Sequence, residues 1–278
     1  MLEKLKQYKE SMYEAMAQAE NLGASAVKIS FDHDEGISAS YESGRLKYAD
    51  ASESMAFAIL VIVDGKFGKA AANQPETLNE MVRRAVKLAE TGAPAHFATF
   101  PKPAMKYDGI QSFDQATAEL PRTRIVEDCG KLVDAIKSLH PSMVVNAAGS
   151  RIVAESLTIN NAGLYDEFQE SSWKIGAGFS KTTGTDMLFC SAARGWGKLD
   201  EHYDLDYIVN TVTENYKNAS RIARLPDGKY PLLLPPKFVQ RFLAPVKMGL
   251  NGFNVYLGTS PLKDKLGQTP FDSSFSLY

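Results

Sequence analysis

Two glycine-containing turns recur at one spacing in this chain, and they constrain its fold more than any other feature. Gly44 and Gly163 are 119 residues apart, and Gly65 and Gly184 are separated by the same number of residues. Each glycine lies between segments whose apolar and polar residues alternate, which is the pattern of a strand pair joined by a turn. Equal offsets between matching turns predict an internal duplication. The alternative is that two separate α+β units resemble each other by chance.

The elements around these turns follow the same order in both halves: a helix, five strands and a second helix. An amphipathic helix is predicted over residues 2–22 and another begins near Pro75, while the second half begins with a helix after Pro121. The segment DHDEG, residues 32–36, is predicted to be a solvated turn between two strands. The predicted fold class is therefore α+β, with two related antiparallel-sheet and helix units.

The remaining segments set the predicted domain boundaries. The first unit spans residues 1–92 and the second spans residues 119–225, with a proline-containing connector over residues 93–118. Residues 226–278 are expected to begin a C-terminal peptidase-like domain, with a strand at KYPLLLP and a helix at KFVQRFLAPVKMGLNG. Because FDSSFSLY resembles the first residues of a strand, we expect this last domain to be truncated.

Composition excludes several classes of function. The chain has 278 residues and a net charge of −2, which gives no reason to expect direct nucleic-acid contact. No apolar run reaches the roughly 20 residues that a membrane-spanning helix needs, and the charged N-terminus is not a secretory signal. Cys129 and Cys190 lie in apolar patterns, so we expect buried thiols in a reducing, cytoplasmic environment.

No local motif supplies catalytic or metal-binding groups. The segment GAGFSKTTGT lacks the Gly-Lys pair and the following helix of a phosphate loop. DHDEG collects three carboxylates and His33, which could hold a cation weakly, but it lacks the ligand spacing of a calcium loop. His96, His140 and His202 have no second ligand at a helical spacing. We therefore expect neither a metal nor a cofactor.

Several segments together resemble the TldD/PmbA family of bacterial and archaeal proteins. They are GKYPLLLPP, KFVQRFLAPVKMGLNG and GTSPLKDKLGQ near the C-terminus, with LGASAVKIS, ESGRLKYADA, DGKFGKAAAN and TINNAGLYDEF in the two halves. In this family, the TldD branch carries a zinc-peptidase motif, His-Glu-x-x-x-His, on a helix before a Gly-Thr-Ser loop. The PmbA or TldE branch lacks that motif. Counted back from Ser260, the motif positions fall on Leu243, Ala244 and Met248, so the resemblance implies a degenerate site with no metal.

The resemblance implies a PmbA/TldE-like noncatalytic subunit of a TldD/TldE-type metalloprotease. Its expected partners are a zinc-bearing TldD-like peptidase subunit and an unfolded peptide substrate, and its expected role lies in proteolysis and peptide maturation. Two alternatives stay open: a non-protease protein-binding module of the gyrase-modulator type, and an inactive fragment of a metallopeptidase-family protein.

Overall fold

The computed structural model describes residues 3–102, 111–139, 142–199 and 204–275. The chain divides into two compact units, Met1–Ile222 and Ala223–Tyr278. Among the described residues, no helix combines the length and apolar character that crossing a membrane requires.

The first unit contains six strands and five α-helices within its described residues. The strands are β1 Ala26–Glu42, β2 Arg45–Val63, β3 Lys66–Ala72, β4 Val144–Asn160, β5 Tyr165–Thr183 and β6 Asp186–Trp196. The helices are α1 Glu3–Asn21, α2 Leu78–Ala89, α3 Gln115–Ala118, α4 Arg122–Lys137 and α5 Asp206–Ala219, and a 3₁₀ turn over Pro75–Thr77 precedes α2.

All six strands form one antiparallel sheet in the order β3-β2-β1-β4-β5-β6. The two halves of the chain meet at the central pair, β1 and β4, whose register runs from Lys28 opposite Asn160 to Tyr41 opposite Ala147. The fold is therefore α+β, as the sequence predicted. The halves are joined through backbone pairing and share a single sheet.

The prediction of five strands in each half was wrong, because the described residues form three strands in each. The segment DHDEG is not a turn: residues 32–36 continue in β1 and pair with both β2 and β4. Strands β1, β2 and β4 contribute residues to both apolar cores, and their polar residues lie in between. The sequence pattern was misleading because a local run of charged residues is typical of a turn. In the structure, backbone hydrogen bonds to the two neighbouring strands keep this segment extended.

Two apolar cores lie on the same face of the sheet, because β1 contributes odd-numbered residues to both. In the first core, α1 and α2 cover one end of β1 and β2, with Phe31, Phe57 and Ile59 at most 1% exposed. In the second core, α4 and α5 cover the other end, where Trp173 and Ile175 are similarly buried. A smaller cluster on the opposite face consists of Ala26, Ile62 and Phe100.

The predicted glycine turns are present, and they correspond in the topology. Gly44 follows β1 and Gly163 follows β4, while Gly65 and Gly184 join β2 to β3 and β5 to β6. Gly65 is the second residue of its two-residue turn, after Asp64 with φ 47°, whereas Gly184 is the first residue of its turn. Side-chain directions alternate along a strand. An odd offset such as 119 would therefore match residues that point to opposite faces of the sheet. The duplication therefore stays a proposal. A residue-by-residue match between the two halves requires an even offset.

The described part of the connector is tied to β5 by polar contacts. Ser171 donates its backbone N–H to Ser112 O at 3.0 Å and accepts from Asp114 N through its hydroxyl at 2.8 Å. The Asp114 carboxylate caps α3 by accepting from Thr117 N at 2.8 Å, and it also accepts from Leu199 N at 3.2 Å. One carboxylate thus holds the connector against the segment after β6.

The second unit contains α6 Pro236–Leu250 and α7 Gly252–Tyr256. The strand predicted at KYPLLLP was wrong, because these residues form no regular element and Leu232 and Leu233 are 77% and 88% exposed. A strand needs a hydrogen-bonding neighbour, and Pro231 and Pro235 lack backbone donors. At the C-terminus, residues 271–275 form bends and turns, and the last three residues of FDSSFSLY lie outside the described part.

We predict that Gly68→Ala strongly destabilises the first unit. A Cβ atom at Gly68 in β3 would lie 1.9 Å from Ala85 O of α2, and a helix backbone cannot retreat without breaking its own packing. The expected loss in the free energy of unfolding is about 3 kcal/mol. Chemical denaturation measures it, with Gly197→Ala as the control because the nearest atom there is 3.9 Å away. Equal stabilities of the two variants would contradict this packing.

We also predict that Asp114→Ala destabilises the chain at neutral pH by about 1 kcal/mol, the usual contribution of a helix cap. The hydrogen bonds from Thr117 lower the pKa of Asp114 from its ordinary value. A lowered folded-state pKa gives stability that is present above the ordinary pKa and is lost as the pH falls through the folded-state pKa. The difference between parent and variant should therefore shrink in acid. Exposed Asp166 in β5 provides the control substitution, and a difference that grows in acid would refute the assignment.

Candidate functional site

The helix α6 carries the three positions that the sequence singled out. It begins at Pro236, a favourable first helical residue because its missing N–H needs no partner there. Pro245 lies inside the helix and cannot donate the i to i−4 hydrogen bond. The helix nevertheless continues to Leu250, with Asn251 beginning the next short helix.

The side chains at these positions offer no hard metal ligand. Leu243 is half-buried, Ala244 is exposed, and Met248 is 66% exposed. Leucine and alanine have no lone pair, and a methionine thioether is a soft ligand that suits copper(I) better than zinc. These three residues therefore supply neither a metal site nor a proton acceptor.

Aromatic residues on α6 leave much of their surface open. Phe238 and Phe242 are 45% and 62% exposed, respectively. The ring of Phe242 is therefore not buried among the described residues.

The Gly-Thr-Ser loop is fastened to the end of α6 by a buried serine. Ser260 is 4% exposed, and its hydroxyl donates to Gly249 O at 2.6 Å while it accepts from Leu262 N at 2.9 Å. Asn254 adds a second tie by donating its side-chain amide to Met248 O at 2.9 Å. The loop thus has a clear structural role, since it satisfies carbonyl groups that the helix end leaves open.

Sequence reasoning missed the environment of one histidine. His33 in β1 is 2% exposed, with Nε2 3.0 Å from Glu53 Oε1 and Nδ1 3.5 Å from Glu155 Oε1. No local signal reveals this arrangement, because Glu53 and Glu155 arrive from β2 and β4. His96 is exposed, and His140 and His202 lie outside the described residues.

The two cysteines are free and buried, as the sequence predicted. Burial, with a smaller contribution from the charge of Asp128, raises the pKa of Cys129 to about 12. Burial also raises the pKa of Cys190. Both groups stay protonated at neutral pH and have the character of core residues, since a thiolate is the reactive form of cysteine.

Two family models match the chain. Residues 27–89 match the PmbA/TldA metallopeptidase domain 1, and residues 227–278 match the PmbA/TldA metallopeptidase C-terminal domain. A search of curated proteins finds no match.

Three solved structures have a similar fold. A proposed modulator of DNA gyrase from Bacteroides thetaiotaomicron is 16% identical, with a TM-score of 0.85 over 96% of this chain and 62% of that one. TldE from Thermococcus kodakarensis is 18% identical, with a TM-score of 0.76 over 91% of this chain and 57% of that one. A proposed modulator of a DNA gyrase from Thermotoga maritima is 19% identical, with a TM-score of 0.79 over 94% of this chain and 60% of that one.

The chain therefore spans about three fifths of the length of each of these structures. At such low sequence identity, these structures support a shared fold and nothing more. The two matched family domains lie in the two units of the structure. Over these residues the chain is similar to the TldD/PmbA family.

Proposed function

We propose that this chain is a PmbA/TldE-like noncatalytic subunit that pairs with a zinc-bearing TldD-like peptidase. The pair would cleave or mature unfolded peptides, with the catalytic metal held by the partner. This chain would complete the assembly and help to hold the substrate. The proposal also places the protein in the cytoplasm, where its two free, buried cysteines suit a reducing environment.

One observation carries this proposal: α6 has no catalytic group at the family's motif positions. Metal-assisted hydrolysis needs a bound cation that acidifies a water molecule and a base that takes the proton. Leu243, Ala244 and Met248 provide neither a zinc ligand nor a base. The fold is retained while the chemistry at this helix is absent, which is the expected state of a partner subunit.

The sheet offers a physical means of holding an extended peptide. β6 lies at the edge of the sheet, so one side of its backbone has no strand partner among the described residues. Met187 and Phe189 on this strand are 59% and 69% exposed. An extended peptide that adds to such an edge is recognised mainly through its backbone, which would permit many sequences.

A second candidate is a protein-binding module without a role in proteolysis. Two of the similar structures are described as proposed modulators of DNA gyrase, which favours this candidate. The net charge of −2 gives little attraction for DNA, so such a module would act on a protein. The third candidate is an inactive fragment of a metallopeptidase-family protein.

We predict that the chain alone does not cleave an unstructured polypeptide. Mixed with a TldD-type subunit that carries the zinc motif, it should form a complex and increase the rate of cleavage. The rate should fall on addition of a chelator, because only the partner holds the catalytic metal. Gel electrophoresis of a casein-like substrate measures cleavage, and size-exclusion chromatography measures pairing.

A partner variant without its motif glutamate is the control for this assay. It should still pair with the chain but give no cleavage. Chelator-sensitive cleavage by the chain alone would contradict the noncatalytic role. A failure to pair, with no change in the partner's activity, would reject the subunit role and favour the protein-binding candidate.

A further inference from the structure

A polar cluster separates the two apolar cores on the helix-facing side of the sheet. We call it the junction cluster, and it consists of His33 and Glu35 from β1, Glu53 from β2 and Glu155 from β4. Glu35 lies opposite Glu53, and His33 lies opposite Glu155. All four share the face that contains Phe31 and Ala39, because residues two apart in a strand point the same way. The cluster is therefore a product of strand register.

Both ring nitrogens of His33 face carboxylates in this cluster. The ring is almost fully buried and lies nearly parallel to the ring of Phe31, with an interplanar angle of 8°. Nε2 is 3.0 Å from Glu53 Oε1, and Nδ1 is 3.5 Å from Glu155 Oε1. The ring of Phe31 and the carboxylates of Glu53 and Glu155 thus hold the His33 side chain in one orientation.

We propose that the junction cluster binds one divalent transition-metal cation through His33 Nε2 and the carboxylates of Glu35 and Glu53. One ligand atom from each of these residues lies within 4.8 Å of the other two. Zinc–nitrogen and zinc–oxygen bonds are about 2.0–2.2 Å long, so the three ligands need to approach only slightly. Glu35 and Glu53 are exposed and are able to make that adjustment, whereas His33 is fixed.

Glu155 supplies independent support for a cationic ligand. This residue is 9% exposed, and its buried Oε2 atom has no hydrogen-bond partner in the part of the chain that the structure describes. A buried carboxylate oxygen without a partner is costly, since it has lost its water and gained nothing in return. A nearby cation, with the water it carries, would offset that cost.

The position of Glu155 also matches what a metal-bound histidine requires. A histidine that coordinates a metal through one nitrogen usually donates the other N–H to a carboxylate, which fixes the ring and its tautomer. Here Nε2 faces the ligand carboxylate Glu53, and Nδ1 faces Glu155. Glu155 is therefore a positioning residue, and Glu35 and Glu53 complete the coordination from the exposed side.

The donor set selects the class of cation. One imidazole and two carboxylates suit zinc, iron(II) or manganese(II), while calcium and magnesium prefer oxygen ligands alone. Three protein ligands also leave coordination positions for water. Arg151 reduces the local negative charge, but the three carboxylates Glu35, Glu53 and Glu155 still outnumber it, so a cation is favoured over an anion.

The proposed site lies in the first unit of the chain, whereas the helix on which the sequence predicted no metal lies in the second. That prediction rested on Leu243, Ala244 and Met248 in α6, on the absence of closely spaced histidines, and on the interpretation of DHDEG, which contains His33 and Glu35, as a solvated turn. The junction cluster assembles from three strands, so a search for ligands at helical spacing overlooks it. The chain would then bind a metal while α6 holds none.

Zinc titration of the whole chain tests the proposal. The protein is stripped with a chelator and dialysed, and Zn²⁺ binding is measured by isothermal titration calorimetry and by metal analysis after equilibrium dialysis. We expect one zinc ion per chain. His33→Ala and the double substitution Glu35→Gln with Glu53→Gln should each weaken binding at least about tenfold, and Glu155→Gln should weaken it by about tenfold.

Two control substitutions locate the bound ion. His96→Ala removes an exposed histidine outside the cluster, and Met248→Leu changes α6; both should bind zinc like the parent. His33→Ala removes a buried side chain and is able to impair folding. If the His33→Ala protein is unstable, the double variant at exposed Glu35 and Glu53 tests the site instead. Zinc should also raise the melting temperature of the parent but not of the double variant. Absence of binding by the parent, or undiminished binding by the double variant, would overturn the proposal.

Discussion

The antiparallel pairing of β1 with β4 is the contact on which the rest of the structure depends. It joins the two halves of the first unit in the middle of a single sheet, from Lys28 opposite Asn160 to Tyr41 opposite Ala147. Each half alone would expose a long edge strand with unpaired backbone groups, which is an unfavourable state for an isolated sheet. The pairing removes both edges at once and aligns the apolar residues of the two halves on one face.

This pairing also explains why charged residues lie in the middle of the sheet. The helices α1 and α2 cover one end of the strands, and α4 and α5 cover the other, so each core ends where its helices end. Strands long enough to serve both cores must cross the space between them. His33, Glu53 and Glu155 lie in that space, where polar side chains have access to one another and partial access to water. Among the described residues, His33, Glu35 and Glu53 form the one group of at least three such side chains that could hold a metal ion.

Local conformation was predictable from the sequence, whereas strand length and the junction cluster were not. The Asp64-Gly65 turn was identifiable because both residues need positive φ, and Pro75 marked the start of the 3₁₀ turn before α2 for an equally local reason. DHDEG was misjudged because its continuity as a strand depends on partners far away in the chain. The burial of His33 depends on the same partners. The assignment of motif positions to α6 rests on family resemblance alone, since Leu243 and Met248 show no local sign of such a motif.

Native-state hydrogen exchange across the two cores tests most directly whether the central pair makes the halves one cooperative unit. Ile59 in β2 and Ile175 in β5 are each 1% exposed and lie in different cores. If β1–β4 pairing couples the halves, their amides should open together, with the same free energy and the same response to denaturant. Opening free energies that differ by more than about 1 kcal/mol, with different responses to denaturant, would show that the halves unfold independently and would contradict this account.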